Sequence, residues 1–244
     1  MRVAALSDIH GNLPALEAVL QDLAGEEPDL IVVCGDVASG PLPVETLEIL
    51  RSLPNARFLH GNADRGLVAA YDNSPKPKWA GPAADWCASQ LSREDRDFLA
   101  SFPDVVRIDV EGLGRILFCH GSPRNDEEMM MAATPEPRLR EIIAGVDTDV
   151  IVCGHTHMQF DRTSDGVRIV NPGSVGMPYG EPGACWALFG PEIDFRRTDS
   201  DREGAAARIR KSSWLGAPAF ARDNVLSVPS VAEVMEFVRN MGGP

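Results

Sequence analysis

Long apolar segments are absent from this sequence of 244 residues. No run approaches the roughly 20 consecutive apolar residues that a membrane-spanning helix requires. The residues after Met1 include one arginine and the strand-like segment Val3–Leu6, and they form neither the apolar region nor the cleavage site of a signal peptide. The sequence therefore predicts a protein that does not associate with membranes and resides in the cytoplasm.

Basic residues are also scarce. The 23 lysine and arginine residues are outnumbered by 36 aspartate and glutamate residues, which gives a formal net charge of −13 and a pI of about 4.8. A surface with this charge repels the phosphate groups of nucleic acids. The composition therefore predicts no non-specific binding to nucleic acid.

The cysteines show no pairing pattern. There are five, an odd number, and no Cys-x-x-Cys pair occurs. The sequence therefore predicts neither a disulfide framework nor a sulfur-rich metal site. Cys34, Cys119 and Cys153 each end an apolar run, and we interpret them as small buried side chains at strand ends.

The first 60 residues alternate between strand and helix patterns. The segments 3–6, 30–34 and 57–60 are predicted to form strands, and the first of them is a buried apolar run. A helix is predicted to begin after Asn12 as its N-cap, with apolar residues at helical spacing at Leu16, Val19, Leu20 and Leu23. A second helix is predicted over 44–52. This β-α-β-α-β order indicates an α/β fold with parallel strands and helices outside them.

The alternation is interrupted between residues 67 and 104, which we interpret as a helical insertion beside the functional site. Residues 73–82 contain three prolines and a glycine, and this composition predicts a loop. Helices are predicted over 83–90 and 93–100, and the second of these is preceded by a capping-box pattern.

Short strand patterns separated by glycine and proline turns follow the insertion. They lie at 105–110, 115–119, 150–153, 167–170, 185–189 and 193–197, with a helix that includes 141–144. Antiparallel pairs after a parallel beginning predict mixed sheets. We therefore expect one main domain over residues 1–199.

Residues 200–244 differ in composition and are predicted to form a helical extension. Helices are expected over 201–211 and from about 230 to 240, whereas 216–227 is expected to be irregular. The sequence leaves open whether this extension packs on the main domain or on a partner subunit. In the second case the protein would be a homodimer.

Polar motifs follow directly on the predicted strands. They are Asp8-Ile9-His10, Gly35-Asp36, Gly61-Asn62, His120 and Gly154-His155-Thr156-His157. Four of the five histidines of the chain lie in these motifs, and the ends of strands in α/β sheets are where ligands gather. The sequence therefore predicts enough oxygen and nitrogen ligands for two metal ions.

The ordered motifs DxH, GD, GN, H and GHxH resemble the signature of the calcineurin-like metallophosphoesterase superfamily. The resemblance extends over residues 1 to about 199. Residues 171–176, with the sequence NPGSVG, and the short chain resemble the small bacterial and archaeal phosphodiesterase branch. The resemblance implies a four-layer α-β-β-α sandwich of two mixed β-sheets with flanking helices.

The resemblance also assigns the ligands of two divalent cations. The first cation would be held by Asp8, His10, Asp36 and His157, and the second by Asp36, Asn62, His120 and His155. Asp36 would bridge the two, and Asp36 and Asn62 would act in catalysis by holding a hydroxide between the cations. Mn²⁺ is the first expectation, and Fe, Zn, Ni or Co suit the same ligands. Two such cations activate water and stabilise both ends of an in-line displacement at phosphorus.

One position departs from the larger members of the superfamily. They have a histidine after Gly-Asn that assists the leaving group or orients phosphate, whereas this chain has Ala63. Alanine can do neither, so the resemblance implies greater dependence on the metals and on substrates with good leaving groups. Asp64 braces that histidine in the family, and here it is expected to shape the loop or pair with Arg65.

His60 is the remaining histidine. It could replace the missing proton donor next to Asn62, or it could be a strand-end residue that points away from the site. Alternation along the strand favours the second interpretation.

Arg65 and Asn12 are the candidate substrate contacts. A guanidinium matches phosphate in a bidentate manner, although a surface salt bridge explains Arg65 equally well. Asn12 could reach phosphate from a helix N-terminus, and this role is compatible with helix capping. Tyr71, Trp79 and Trp86 could form the wall of a nucleotide or aryl site, but packing for Trp86 and a surface loop for Trp79 are favoured.

The predicted function is hydrolysis of phosphodiester bonds in small substrates. Two cations would locally reverse the negative charge and attract a small phosphorylated molecule. The alternatives are a phosphomonoesterase, including a protein or nucleotide phosphatase or a dinucleoside polyphosphate hydrolase, and a non-catalytic scaffold like the retromer subunit with this fold. That subunit has lost histidine ligands, whereas this chain has all of them.

Overall fold

Two β-sheets form the centre of the computed structural model, which describes residues 1–77 and 80–240. Within these residues each sheet has five strands, in the orders β10-β9-β1-β2-β3 and β4-β5-β6-β8-β7. The strands are β1 (Val3–Leu6), β2 (Leu30–Val33), β3 (Ala56–Phe58), β4 (Val105–Val110), β5 (Gly114–Cys119), β6 (Val150–Val152), β7 (Phe160–Ser164), β8 (Val167–Asn171), β9 (Ala184–Phe189) and β10 (Ile193–Thr198). Parallel and antiparallel pairs occur in both sheets, which confirms the predicted mixed sheets.

The helices of the described residues are α1 (Leu13–Glu26), α2 (Pro43–Ser52), α3 (Asn62–Tyr71), α4 (Gly81–Gln90), α5 (Arg93–Ala100), α6 (Glu136–Ile143), α7 (Arg202–Ile209), α8 (Ala217–Phe220) and α9 (Val231–Asn240). Helices α1–α6 cover the outer faces of the two sheets, and α7–α9 follow in the C-terminal extension. One apolar cluster joins α1–α5 to the first sheet, and another joins α6 to the second. The result is the expected four-layer α-β-β-α arrangement.

Alternation along β1 shows how the layers form. Ala4 and Leu6 pack in the cluster under the helices, whereas Val3 and Ala5 pack in the cluster between the sheets. Successive side chains of a strand point to opposite faces, so a fully apolar strand must be covered on both. The core between the sheets therefore draws residues from both of them.

Two elements of the main domain were not predicted. Helix α3 begins at Asn62, five residues before the expected insertion, because the chain turns directly from the Gly61-Asn62 motif into a helix. Strand β7 has only Phe160 and Ser164 buried and lies at the edge of its sheet, so its sequence lacks a strong apolar signal. Backbone pairing with β8 holds it in place. Helices α4 and α5 confirm the two predicted in the insertion.

The prediction that 216–227 is irregular was wrong. Helix α8 is followed at once by a π-helical turn, Ala221–Leu226. Pro218 lies in the first turn of α8, where its missing N–H is not needed. Phe220 and Val225 are buried against α1 and α7, so tertiary packing stabilises a segment with little helical signal of its own.

The C-terminal extension packs on its own chain. Helix α7 contacts α1, and Val234 and Val238 of α9 pack against Met131. The homodimer stays a prediction. Among the described residues, no helix combines the length and apolar character needed to cross a bilayer.

We expect Phe189→Ala to lower the free energy of unfolding by about 3–5 kcal/mol, because a large ring is removed from a close-packed core. Phe189 is fully buried and packs edge-on against Phe118 at a ring distance of 6.0 Å. The matched control is Phe237→Ala, since Phe237 is 61% exposed. Chemical unfolding followed by circular dichroism measures both, and equal losses would contradict the assigned core.

Candidate metal centre

The predicted ligands converge where the parallel strands of both sheets end. Strands β1 and β2 lead into the loops that carry Asp8, His10 and Asp36, and Asn62 opens α3 just beyond β3. In the second sheet, β5 and β6 lead into the loops that carry His120, His155 and His157. Because parallel strands in one sheet end at the same edge, these loops meet.

Two ligand groups form there. Asp8, His10 and His157 offer one ligand atom each within 4.8 Å of one another, and so do Asp36, His120 and His155. The Oδ1 atom of Asn62 lies 3.0 Å from Nε2 of His120, which places Asn62 at the second group. The structure thus brings all seven predicted ligands together.

Asp36 belongs to the second group and also faces the first. Its Oδ2 atom is 3.3 Å from Nε2 of His120 in the second group and 3.8 Å from Nε2 of His10 in the first. Its other oxygen, Oδ1, accepts a hydrogen bond from the main-chain N–H of Ala63 at 2.8 Å. One carboxylate oxygen is therefore fixed by the backbone, and the other faces both groups.

The imidazoles are oriented by main-chain carbonyl groups. The Nδ1 atoms lie near carbonyl oxygens in the pairs His10 with Ser39 (3.3 Å), His120 with Cys34 (2.8 Å) and His157 with Met177 (2.9 Å). A carbonyl can only accept, so Nδ1 carries the proton in each pair and Nε2 is left for a cation. This is the usual arrangement of metal-binding histidines.

Asp8 has one oxygen bound and one free. Its Oδ2 atom accepts hydrogen bonds from Ser7 Oγ at 2.6 Å and from the N–H of His155 at 3.0 Å. Its Oδ1 atom is buried and accepts no hydrogen bond from the described residues, but lies 3.3 Å from Nε2 of His157. A buried oxygen without a donor is costly, and a divalent cation would remove that cost. The donor set therefore fits two cations.

The buried charged groups of the site shift one another's pKa values. Burial opposes ionisation of Asp8, but the neighbouring His157 and His120 outweigh it and lower the pKa of Asp8 to about 2. Burial would lower the pKa of His120, yet Asp36 and Asp8 raise it to about 10. Burial and the charge of His120 lower the pKa of His155 to about 4. Because metal-binding histidines must be neutral, cations and protons compete for this site.

Positive φ angles are concentrated at the candidate ligands. Positive φ angles occur at Asp8 (55°), His10 (49°), Asp36 (54°), His155 (65°) and His157 (60°). Residues with a side chain rarely adopt this left-handed conformation, and such strain gathers at functional sites where the surrounding structure enforces it. The sequence carries no direct signal for it.

Asp64 joins the two loops that carry Asp36 and Asn62. Its buried carboxylate accepts hydrogen bonds from the main-chain N–H groups of Asp36 (2.7 Å), Val37 (2.9 Å) and Gly61 (3.0 Å). Of the two expected roles, it therefore shapes the loops. Arg65 pairs elsewhere.

Gly61 and Gly154 permit close contact between the loops of the site. A Cβ atom on Gly61 would lie 2.0 Å from Oδ1 of Asp36, and one on Gly154 would lie 2.0 Å from Oγ of Ser7. No real side chain fits at that distance, so both positions require glycine.

The candidate substrate contacts are engaged within the protein. Asn12 caps α1, as predicted, by accepting from the N–H of Ala15 at 3.3 Å, and its amide group donates to the carbonyl of Gly176 at 2.8 Å. Arg65 donates to Asp126 at 2.8 and 3.0 Å and to Glu127 at 2.6 Å. The charge of Arg65 is therefore balanced by two carboxylates.

His60 lies beyond the end of β3 at Phe58, so the alternation argument does not apply to it. Its Nε2 atom is 2.6 Å from Oδ1 of Asp104, and its Nδ1 atom is 3.7 Å from Oδ2 of Asp126. It lines a cavity of about 310 Å³ together with Arg65 and His120. A role for His60 as a proton donor, the interpretation that the sequence favours less, stays a hypothesis.

The aromatic residues of the insertion have structural neighbours. Trp86 stacks on Trp214 with ring centroids 6.1 Å apart, and Tyr71 packs against the core under the helices. Trp79 lies outside the described residues. Sequence reasoning overlooked Tyr179, whose ring stacks on His157 at 5.1 Å. Nothing in its local sequence indicates that contact.

Residues 1–192 match the calcineurin-like phosphoesterase superfamily domain. The chain therefore belongs to this superfamily, and it is a metal-dependent phosphoesterase. An uncharacterised protein of Methanocaldococcus jannaschii is 29% identical over 244 residues, covering 89% of this chain and 97% of that protein. Phosphodiesterase YfcE of Escherichia coli K12 is 24% identical over 203 residues, covering 79% of this chain and 89% of YfcE.

Solved structures show the same fold. A metallophosphoesterase from Sphaerobacter thermophilus is 28% identical with a TM-score of 0.75, covering 93% of this chain and 99% of that chain. A hypothetical protein from Pyrococcus horikoshii OT3 is 22% identical with a TM-score of 0.77, covering 90% and 97%. The four-layer arrangement is thus shared along nearly the whole chain.

We expect His10→Gly to be more stable than His10→Ala by about 1 kcal/mol when both are measured in excess chelator, because only glycine adopts positive φ without strain. Both variants lose the same imidazole, so metal binding does not separate them. The control position is exposed Gln21 within α1, where alanine should be the more stable by about 1 kcal/mol. Chemical unfolding measures the stability of the four variants. If the glycine and alanine variants had the same order of stability at both positions, backbone strain at His10 would be refuted.

We expect Asp64→Asn to lower stability by about 1–3 kcal/mol and to weaken cation binding, because a neutral amide cannot accept all three N–H bonds. Asp95→Asn is the matched control. Asp95 is 4% exposed, but its partners are Ser92 and Arg51. Calorimetric titration with Mn²⁺ should show weaker binding for Asp64→Asn alone. Equal affinity in the two variants would end this role for Asp64.

Proposed function

We propose that this protein hydrolyses phosphodiester bonds of small substrates by a two-metal mechanism, with Mn²⁺ as the first choice of cation. The observation that carries the proposal is the position of Asp36 Oδ2, within 4 Å of an imidazole from each ligand group. Two cations held by these groups would activate water and stabilise charge at phosphorus. Fe, Zn, Ni and Co remain alternatives because the nitrogen and oxygen ligands also suit them.

The side chains around the centre hold the ligands in place. Asp8 and Asp36 each have one oxygen fixed by donors and one directed at the imidazoles. The carbonyls of Cys34 and Met177 fix two imidazoles. A rigid ligand cage costs no reorganisation when charge develops on the phosphate, which favours catalysis.

The charge balance near the centre supports a diester substrate. A phosphomonoester carries nearly two negative charges at pH 7, whereas a diester carries one. Arg65, the cation nearest to the ligand motif in sequence, is already paired with Asp126 and Glu127. Ala63 provides no imidazole for a leaving group, so substrates with good leaving groups are favoured.

The test compares bis-p-nitrophenyl phosphate with p-nitrophenyl phosphate in Mn²⁺. We expect a higher kcat/KM for the diester, loss of activity on chelation, and recovery that is greatest with Mn²⁺ among the five cations. A strong preference for the monoester would instead identify a phosphomonoesterase.

Asp36→Asn tests the centre itself. We expect a loss of activity on the order of 100-fold or more, since even residues that only support metal ligands typically account for 10–100-fold. The control is Asp109→Asn, because Asp109 is exposed on β4. Absence of metal binding together with an unchanged Asp36→Asn variant would favour a scaffold.

A further inference from the structure

The loop of residues 176–180 supports His157 on two sides. The carbonyl of Met177 lies 2.9 Å from Nδ1 of His157 and fixes the edge of the imidazole. The ring of Tyr179 stacks on its face, with centroids 5.1 Å apart and an interplanar angle of 20°. This support loop therefore restrains the direction of Nε2, the atom offered to a cation.

The C-terminal extension packs against both supporting residues. Met177 contacts the apolar cluster that contains Ala206 of α7 and Phe220 of α8. Tyr179 contacts the cluster that contains Val234 and Val238 of α9. The two halves of the extension thus hold the two ends of the support loop.

Two further contacts join α9 to this region. The main-chain N–H of Gly180 donates to the carbonyl of Pro229, just before α9, at 2.9 Å. Met158, which follows His157 in the chain, packs in the same cluster as Tyr179 and α9. The extension follows the segment matched to the superfamily domain, which ends at residue 192.

We propose that Tyr179 is a positioning residue for His157, and that the C-terminal extension forms part of the metal centre by packing on Tyr179 and Met177. Rotation of an imidazole about its last side-chain torsion is only broadly restrained by intrinsic preference. The hydrogen bond to Met177 alone leaves the imidazole of His157 free to tilt, and the ring of Tyr179 stacked on its face prevents this tilt. The C-terminal extension in turn holds the ring of Tyr179 in place.

The inference rests on the proposed two-metal centre. The test is calorimetric titration of the full-length, metal-free protein with Mn²⁺, with Co²⁺ absorption as a second readout of ligand geometry. Tyr179→Ala should weaken the binding of one of the two cations by about 10–100-fold, as loss of a ligand's supporting partner typically does. The affinity for the other cation should not change. Tyr179→Phe keeps the stacked ring and should bind both as the parent does. If Tyr179→Ala does not fold, Tyr179→Leu keeps apolar volume without a flat ring and should show the same loss.

A double variant shows whether Tyr179 acts through His157. His157→Ala should weaken the binding of the same cation. Adding Tyr179→Ala should weaken that binding no further, because two changes that act through the same side chain are not additive. A structural effect elsewhere would instead add to that of His157→Ala.

A pair of valines tests the extension. Val238→Ala on α9 and Val106→Ala between the sheets remove the same groups from sites that are 6% and 7% exposed. Both substitutions should lower Tm by similar amounts, but only Val238→Ala should weaken the binding of that cation and alter the Co²⁺ spectrum.

Each outcome has one meaning. Fewer than two cations bound by the parent protein would overturn the two-metal proposal. Two cations bound by the parent and equally tightly by Tyr179→Ala would overturn this inference alone, as would a loss shared equally by both cations. If Val238→Ala and Val106→Ala bound the cation with identical affinity, the proposal that the extension forms part of the metal centre would be overturned.

Discussion

Two buried carboxylates lie close together in this protein, and the surroundings of the pair determine how the site is built. Asp8 Oδ1 and Asp36 Oδ2 lie 3.9 and 3.8 Å from the same Nε2 atom of His10. Like charges away from water repel strongly, and each is costly to bury alone. Imidazoles and N–H donors offset part of this cost, and divalent cations would offset the remainder. The function follows from a site that favours cations.

The backbone carries the consequences of this constraint. Five of the candidate ligand residues have positive φ angles, and the loops that carry them approach so closely that Gly61 and Gly154 have no room for a Cβ atom. Such strain persists only where the rest of the structure enforces it. The core between the two sheets and the outer helices supply that rigidity, and Asp64 ties two of the loops together through three main-chain N–H groups.

Much of the fold could be predicted because its central strands are short apolar runs with sharp ends. The strand at Val3–Leu6 and the cap at Asn12 are set by local sequence, and the structure confirms both. Strand β7 was not predicted because an edge strand is held by backbone pairing more than by apolar burial. The segment 216–227 was mispredicted because its helical form depends on burial against α1 and α7.

Local sequence identifies the candidate cation ligands and the family that the chain resembles, because each motif is a few residues long and follows a strand end. The tertiary structure selects which of their atoms face the site. It leaves Nε2 of His120 and one oxygen of Asp8 facing the site, and it pairs Arg65 with acidic residues about 60 positions away. It also placed Tyr179 on His157. These features depend on contacts between residues far apart in the chain, for which a single sequence contains no local signal.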